Sequence, residues 1–102
     1  MDAKLIWITR DKDKDGFPVE TEHSIDIYAE EKSIVRTEFY EAMRSGVEVK
    51  VVLETRQEDY KLSLHEVDGK KSFASKIRYD GQEYDIKRTY AAGKAKIELV
   101  CG

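Results

Sequence analysis

The strongest constraint on the fold is an Asp-Gly dipeptide that lies between two runs of alternating polarity. Residues 77–79 precede Asp80-Gly81, and residues 82–86 follow it. Asp-Gly favours a two-residue type I′ turn, because both residues accept the positive φ angles that this turn requires. The sequence therefore predicts an antiparallel β-hairpin at this point.

Other alternating or β-branched runs predict further strands. Residues 47–55 give the clearest alternation, which predicts a central strand with one face inward and one face mostly in water. The charged stretch 10–22 predicts a loop, and residues 68–71 predict a turn. The remaining predicted strands are residues 5–9, 24–28 and 94–101, with 61–65 as a short candidate.

One segment, about Arg36 to Ser45, has the pattern of an α-helix. Phe39, Ala42 and Met43 have the i, i+3, i+4 spacing of one helical face, and Gly46 follows at a position where glycine commonly ends a helix. We therefore expect one helix inserted between strands.

Length and composition favour one small domain that spans residues 1–102. The chain has 102 residues, of which 40% are hydrophobic, which is enough for a single core. Short antiparallel strands with one helix predict a mainly β fold, a small antiparallel barrel or sandwich of about six strands.

The charge balance argues against tight nucleic-acid binding by the monomer. The 21 acidic and 18 basic residues are mixed along the chain and give a formal charge of −3. A basic excess drives non-specific phosphate binding, and this chain has none.

Cysteine usage and the N-terminus favour an intracellular location. Cys101 is the single cysteine, so an intramolecular disulfide or a cysteine-based zinc site is excluded. The apolar run at residues 5–9 is too short to span a membrane and has no signal-peptide pattern. We expect a protein of the reducing cytoplasm without membrane contact.

The spacing of Asp11, Asp13, Asp15, Gly16 and Glu22 fits the calcium loop of an EF-hand. An EF-hand also needs a helix on each side of the loop, and here β-type runs precede and follow it. The preferred interpretation is a solvated acidic hairpin loop, with calcium binding as the alternative.

No residue pattern predicts catalysis or a bound cofactor. His23 and His65 have no second metal ligand nearby in sequence, and Cys101 has no local basic cluster that would activate a thiolate. The serines lie in no nucleophile motif, and no glycine-rich phosphate loop is present. We predict that the protein is not an enzyme and uses no cofactor.

Two sets of side chains are candidates for contact with partners. Lys70 and Lys71, with Lys61, Lys76 and Arg78 nearby, form the one local basic excess. A solvated loop is the preferred interpretation, and a phosphate contact is the alternative, because loop lysines bind phosphate effectively only when several copies converge. Amphipathic aromatic rings are common at protein interfaces, although core packing explains each one equally well. The aromatic candidates are Trp7, Tyr40, Tyr60, Tyr79, Tyr84 and Tyr90.

The order of elements and three sequence motifs resemble the head–tail joining family of siphophages and prophages, also called head-closure, head-completion or stopper proteins. The likeness covers nearly the whole chain, and the spacing between the second and third motifs is its most specific feature. The motifs are Ile27-Tyr28-Ala29-Glu30, Thr37-Glu38-Phe39-Tyr40-Glu41-Ala42 before Gly46, and Ile77-Arg78-Tyr79-Asp80-Gly81-Gln82-Glu83-Tyr84-Asp85-Ile86.

This resemblance implies a structural connector subunit of a phage virion. Such proteins assemble as a ring of identical copies beneath the portal and adaptor rings after DNA packaging, close the channel and offer a surface to the tail protein. The chain would then reside in the host bacterial cytoplasm during assembly and afterwards in the virion. Lys70 and Lys71 would be the side chains nearest to packaged DNA in any transient contact.

The resemblance also implies that the stretch around the helix, residues 33–49, faces the channel and rearranges to plug it. The candidates for this gate are Ser33, Thr37, Glu38, Glu41, Arg44 and Gly46.

Two other functions remain open from the sequence. Tail-completion and tail-terminator subunits share a small β-barrel with one helix, so fold alone does not separate them from head closure. A calcium-dependent binding module built on the acidic loop is the less favoured alternative.

Overall fold

A computed structural model describes residues 1–33, 44–46 and 48–102. Nine strands and one short helix occur in these ranges. The strands are β1 (Asp2–Lys12), β2 (Pro18–Tyr28), β3 (Glu30–Lys32), β4 (Val51–Arg56), β5 (His65–Val67), β6 (Lys70–Ser72), β7 (Lys76–Tyr79), β8 (Gln82–Ala92) and β9 (Lys96–Cys101), and the helix is α1 (Gln57–Lys61).

The described strands form one seven-stranded antiparallel sheet and one small hairpin. The large sheet has the order β2-β1-β7-β8-β9-β4-β3, and β5 pairs only with β6. β8 pairs with β7 from Gln82 to Asp85 and with β9 from Ile86 onward, with a register shift between Ile86 and Arg88. The prediction of a mainly β fold is therefore confirmed.

The fold is sandwich-like and is not a closed barrel, so the barrel alternative is wrong. The two edge strands, β2 and β3, follow each other across Ala29 and do not pair with each other. At the end of β2, the Thr55 hydroxyl of β4 donates to the Tyr28 carbonyl oxygen at 2.7 Å. One such bond cannot replace the ladder of backbone bonds that barrel closure requires.

The core lies between the two halves of the folded sheet. Leu5, Leu53, Ile77 and Leu99 are all fully buried there. Their burial follows the alternation of side chains along each strand, which places every second residue inward.

The predicted β7–β8 hairpin is confirmed. Asp80 and Gly81 have φ angles of 52° and 77°, as a type I′ turn requires, and Tyr79 pairs with Gln82 across it. The last strand, predicted at residues 94–101, is confirmed as β9, which begins at Lys96.

The predicted loop at residues 10–22 is wrong over most of its length. β1 continues to Lys12 and β2 begins at Pro18, so only residues 13–17 form the loop. These strand ends are exposed on both faces and therefore lack the apolar alternation that identifies a strand in sequence. Backbone pairing and an ion pair between Arg10 and Glu20, 3.1 Å apart, hold them together.

Two predictions between residues 47 and 65 also need correction. The strand predicted as central is β4, which begins at Val51, lies second from the edge and is buried on both faces. The short strand predicted at 61–65 is wrong, because α1 ends at Lys61 and β5 begins at His65.

The helix predicted at about Arg36 to Ser45 lies largely outside the described residues. Among the residues that the structure describes, no helix is long and apolar enough to cross a membrane.

Candidate functional site

The first candidate feature is a hairpin that extends beyond the sheet. β1 pairs with β7 only from Ala3 to Ile6, and from Trp7 to Lys12 its one partner among the described strands is β2. We call residues 8–22 the arm. A two-stranded hairpin without further cover is marginally stable in water, so the arm is suited to gain order from a partner.

The arm exposes apolar side chains together with a net negative charge. Phe17, Ile8 and Val19 are 65%, 43% and 41% exposed. Phe17 and Val19 lie two positions apart near the end of the arm, and exposed apolar groups that lie together are typical of protein contacts. The arm has five acidic residues, Asp11, Asp13, Asp15, Glu20 and Glu22, and three basic ones, Arg10, Lys12 and Lys14, which gives a net charge of −2.

The tip of the arm is an ordered turn. The Asp13 carboxylate accepts the backbone N–H of Asp15 at 2.9 Å and that of Phe17 at 2.8 Å. Gly16 has a φ of 81°, a region that favours glycine. The turn therefore fixes the backbone beside Phe17 and holds its ring in solvent.

The structure does not bring the four calcium candidates together. Glu22 lies on β2 opposite Ile8, whereas Asp11 lies opposite Val19, and Asp13 and Asp15 are in the loop. Within residues 1–33, 44–46 and 48–102, no three His, Cys, Asp or Glu side chains are grouped so that they could hold a metal ion.

The second candidate feature is a positively charged groove between α1 and the β8–β9 turn. Its cavity volume is about 250 Å³. Three cations and one carboxylate line it, which gives a net charge of +2, and Glu58 forms an ion pair with Arg56. We call it the basic groove, and its lining residues are Arg56, Gln57, Glu58, Lys61, Lys94 and Ala95.

Gln57 fixes the geometry of the basic groove. Its backbone N–H donates to the Ala95 carbonyl oxygen at 2.8 Å, and its side-chain amide donates to the Lys96 carbonyl oxygen at 2.9 Å. Because these bonds hold the start of α1 against the β8–β9 turn, the two walls of the groove cannot separate freely. The groove is therefore pre-formed.

An aromatic stack lies at the base of the arm. The Trp7 ring stacks on His23 with 5.4 Å between ring centroids and on His65 with 5.6 Å. The Thr9 hydroxyl lies 2.7 Å from His23 Nε2, and the Ser63 carbonyl oxygen lies 2.8 Å from His65 Nδ1. The stack joins β1 and β2 to the β5–β6 hairpin.

The aromatic interface candidates differ in how deeply they are buried. Tyr60 is only 8% exposed and stacks on Phe73, so of the two explanations left open for it, core packing and an interface, core packing applies. Tyr79 and Tyr84 are half-buried against the core, as is Trp7. Tyr90 packs against the outer pair Val52 and Val100, and Tyr40 is outside the described residues.

The candidates for DNA contact and gating are exposed where the structure describes them. Lys70 and Lys71 lie on β6 at the tip of the β5–β6 hairpin. Ser33, Arg44 and Gly46 are also exposed. Thr37, Glu38 and Glu41 lie outside the described residues.

Cys101 is a core residue. It is fully buried, and burial raises the pKa of its thiol from 9.0 to about 12. The same environment raises the pKa of Tyr60, first by burial and then by the proximity of Cys101. Neither group has the exposed, ionised character of a nucleophile.

Phe17, Lys61 and Lys94 were not predicted from the sequence as functional residues. Phe17 had a detectable signal, since a large apolar residue inside a charged loop is unusual. No sequence signal predicted that Lys61 and Lys94 share a groove, because only the folded chain places them together.

No model of a protein family, no curated protein and no solved structure matches the chain significantly.

Proposed function

We propose that the protein is a head–tail joining subunit of a tailed phage or prophage, which assembles as a ring under the portal and adaptor and closes the DNA channel after packaging. The sequence resemblance supports this function directly. The arm is the structural observation that best supports it, because Phe17 and Val19 are exposed on a hairpin that projects from a rigid sheet. Such a projection fits a subunit that works by contact with neighbours.

The charge distribution is compatible with a channel for DNA. A ring that DNA must pass should not bind phosphate strongly, and a subunit with a net charge of −3 meets that requirement. Lys70 and Lys71 are exposed at the tip of a short hairpin, so a few cations per copy are available for transient contact with packaged DNA. The tail would then attach to the outer surface of the ring.

Residues 33–49 are proposed as the gate. The exposed positions of Ser33, Arg44 and Gly46 at both ends of this stretch support the proposal, since a gate must be free to move into the channel.

Retention of DNA by phage heads tests the proposed function. Mature, DNA-filled heads that carry portal and adaptor but lack this protein are incubated with the purified chain, and the DNA that becomes accessible to nuclease is measured over time. Head closure predicts that the chain binds the heads and that leakage stops. Heads incubated with an unrelated protein of the same size are the control.

If the heads neither bind the chain nor retain DNA better than the control, head closure is wrong for this protein. Binding to purified tails that lack their terminal subunit would instead support a tail-completion role.

A further inference from the structure

We infer that the tip of the arm of one copy docks into the basic groove of a second copy of this chain. The inference rests on the proposed function for the identity of the partner, and it assigns the surfaces through which neighbours in the ring meet. The docking side chain is Phe17, and the cations that receive the acidic arm are Lys61 and Lys94.

Charge complementarity supports this pairing. The arm has a net charge of −2, and the side chains that line the basic groove have a net charge of +2. In the described part of the chain, Lys61 and Lys94 form no ion pair of their own, whereas Arg56 is already paired with Glu58. The two lysines are therefore available to the carboxylates of a neighbouring arm.

The size of the basic groove also matches that of the Phe17 side chain. Phe17 is 65% exposed beside a fixed turn, and the groove has a cavity volume of about 250 Å³, which is enough for one aromatic side chain. Aromatic side chains that fill a pocket near the centre of an interface commonly supply much of its binding energy.

The groove is not filled by the arm of its own chain. No arm residue is among the residues that line it, and the arm is held by β1–β2 pairing that runs without a break from Asp2 to Lys12. Because the arm and the groove are different surfaces, each copy offers one of each. Contacts of this heterologous kind join copies head to tail and close into a ring when the rotation permits.

Self-association of the purified chain tests the inference without phage heads. Sedimentation equilibrium is measured up to about 1 mM, the weakest dissociation constant that we would accept for such an interface. We expect the wild-type chain to associate, and we expect Phe17→Ser to weaken this association by about tenfold or more. Tyr28→Ser removes a ring that is 57% exposed outside the arm and should leave association unchanged.

Charge reversal provides the second test. Lys61→Glu with Lys94→Glu should abolish association, and combining it with Asp11→Lys and Asp15→Lys should restore it. Lys70→Glu with Lys71→Glu is the matched control, because it reverses the same number of exposed lysines outside the groove.

A wild-type chain that remains monomeric over the whole range, or Phe17→Ser and groove variants that associate as well as the controls, would overturn the inference. Binding of a DNA oligonucleotide that is lost in the Lys61/Lys94 variant, without any self-association, would overturn it as well and assign the groove to phosphate. Head closure without self-association would refute only this inference, whereas self-association without head closure would refute only the proposed function.

Discussion

The Trp7 indole and the His65 imidazole lie almost parallel, with 5.6 Å between ring centroids and 12° between ring planes. This contact joins β1 of the large sheet to β5 of the small hairpin. β5 and β6 share only three paired positions, too few to be stable alone. The stack therefore anchors the β5–β6 hairpin, and with it Lys70 and Lys71.

Replacement of His65 by alanine should release this hairpin. The lost aromatic contact is worth about 1 kcal/mol of folding free energy. We expect faster hydrogen exchange at the backbone amides of β5 and β6, with exchange in β9 unchanged. Hydrogen-exchange mass spectrometry of the variant measures both effects.

His23→Ala is the matched control for that experiment, because His23 also stacks on Trp7, with 5.4 Å between ring centroids. It should loosen the base of the arm and leave β5 and β6 protected. Equal loss of protection in both variants would contradict a specific anchoring role for His65.

The Ser63 hydroxyl connects the end of α1 to Ala74 in the core. It donates to the Tyr60 carbonyl oxygen at 2.7 Å and accepts the Ala74 N–H at 2.9 Å, and Ser63 is fully buried. Ser63→Ala would leave the Ala74 N–H buried without a partner, at a cost of about 1–3 kcal/mol. Thermal or denaturant unfolding measures the loss.

Ser24→Ala removes a hydroxyl from an exposed position on β2 and is the comparison for Ser63→Ala. Its effect should stay within about 0.5 kcal/mol. If both variants unfold at the same denaturant concentration, the hydroxyl of Ser63 has no structural role.

A strand was predictable from the sequence where one of its faces buries apolar side chains, and it was missed where both faces are exposed. The β7–β8 hairpin and strand β9 were predictable, because local turn chemistry and alternation encode them. The ends of β1 and β2 were not, since residues 10–12 and 18–22 are exposed on both faces and their pairing leaves no apolar pattern.

The candidate site was predictable only in part for a related reason. The acidic loop is visible in the sequence, yet the partners of Trp7 lie 16 and 58 positions further along the chain, at His23 and His65. The basic groove combines Lys61 with Lys94, which only β9–β4 pairing brings close. Contacts that depend on sheet topology leave no local signal.

Burial of Cys101 predicts a specific dependence of stability on pH. The pKa of its thiol is about 12 in the folded chain and 9.0 for the unperturbed group. The unfolded chain therefore loses this proton first, and the free energy of unfolding should fall by about 1.4 kcal/mol per pH unit between these two values. Below pH 9.0 the thiol keeps its proton in both states, and the full stability that it contributes is present.

Urea unfolding at several alkaline pH values, compared between the wild type and Cys101→Ala, isolates this contribution. The free energy of unfolding of the variant should fall less steeply with pH than that of the wild type. It should still fall, because other groups such as Tyr60 titrate in the same range. The wild-type thiol should also react with an aromatic disulfide reagent only after unfolding. Rapid reaction of the folded chain would contradict the burial of Cys101.

Calcium should leave the stability of the chain unchanged. The Asp13 carboxylate is committed to the N–H groups of Asp15 and Phe17, and Glu22 lies back along β2. Differential scanning calorimetry with excess calcium or excess chelator should give the same thermal midpoint. Asp13→Ala should lower the midpoint in both conditions, because the turn loses its two bonds.

A rise of the midpoint in calcium that disappears in Glu22→Gln would show that the acidic residues do converge on a metal ion. That result would support calcium-dependent binding as the function of the arm.

The most direct test of the central proposal is electron cryo-microscopy of DNA-filled heads after incubation with the purified chain. We predict a ring of copies under the adaptor that blocks the channel, with the arm of each copy against the basic groove of the next. Heads with an open channel and no added ring would contradict the proposal.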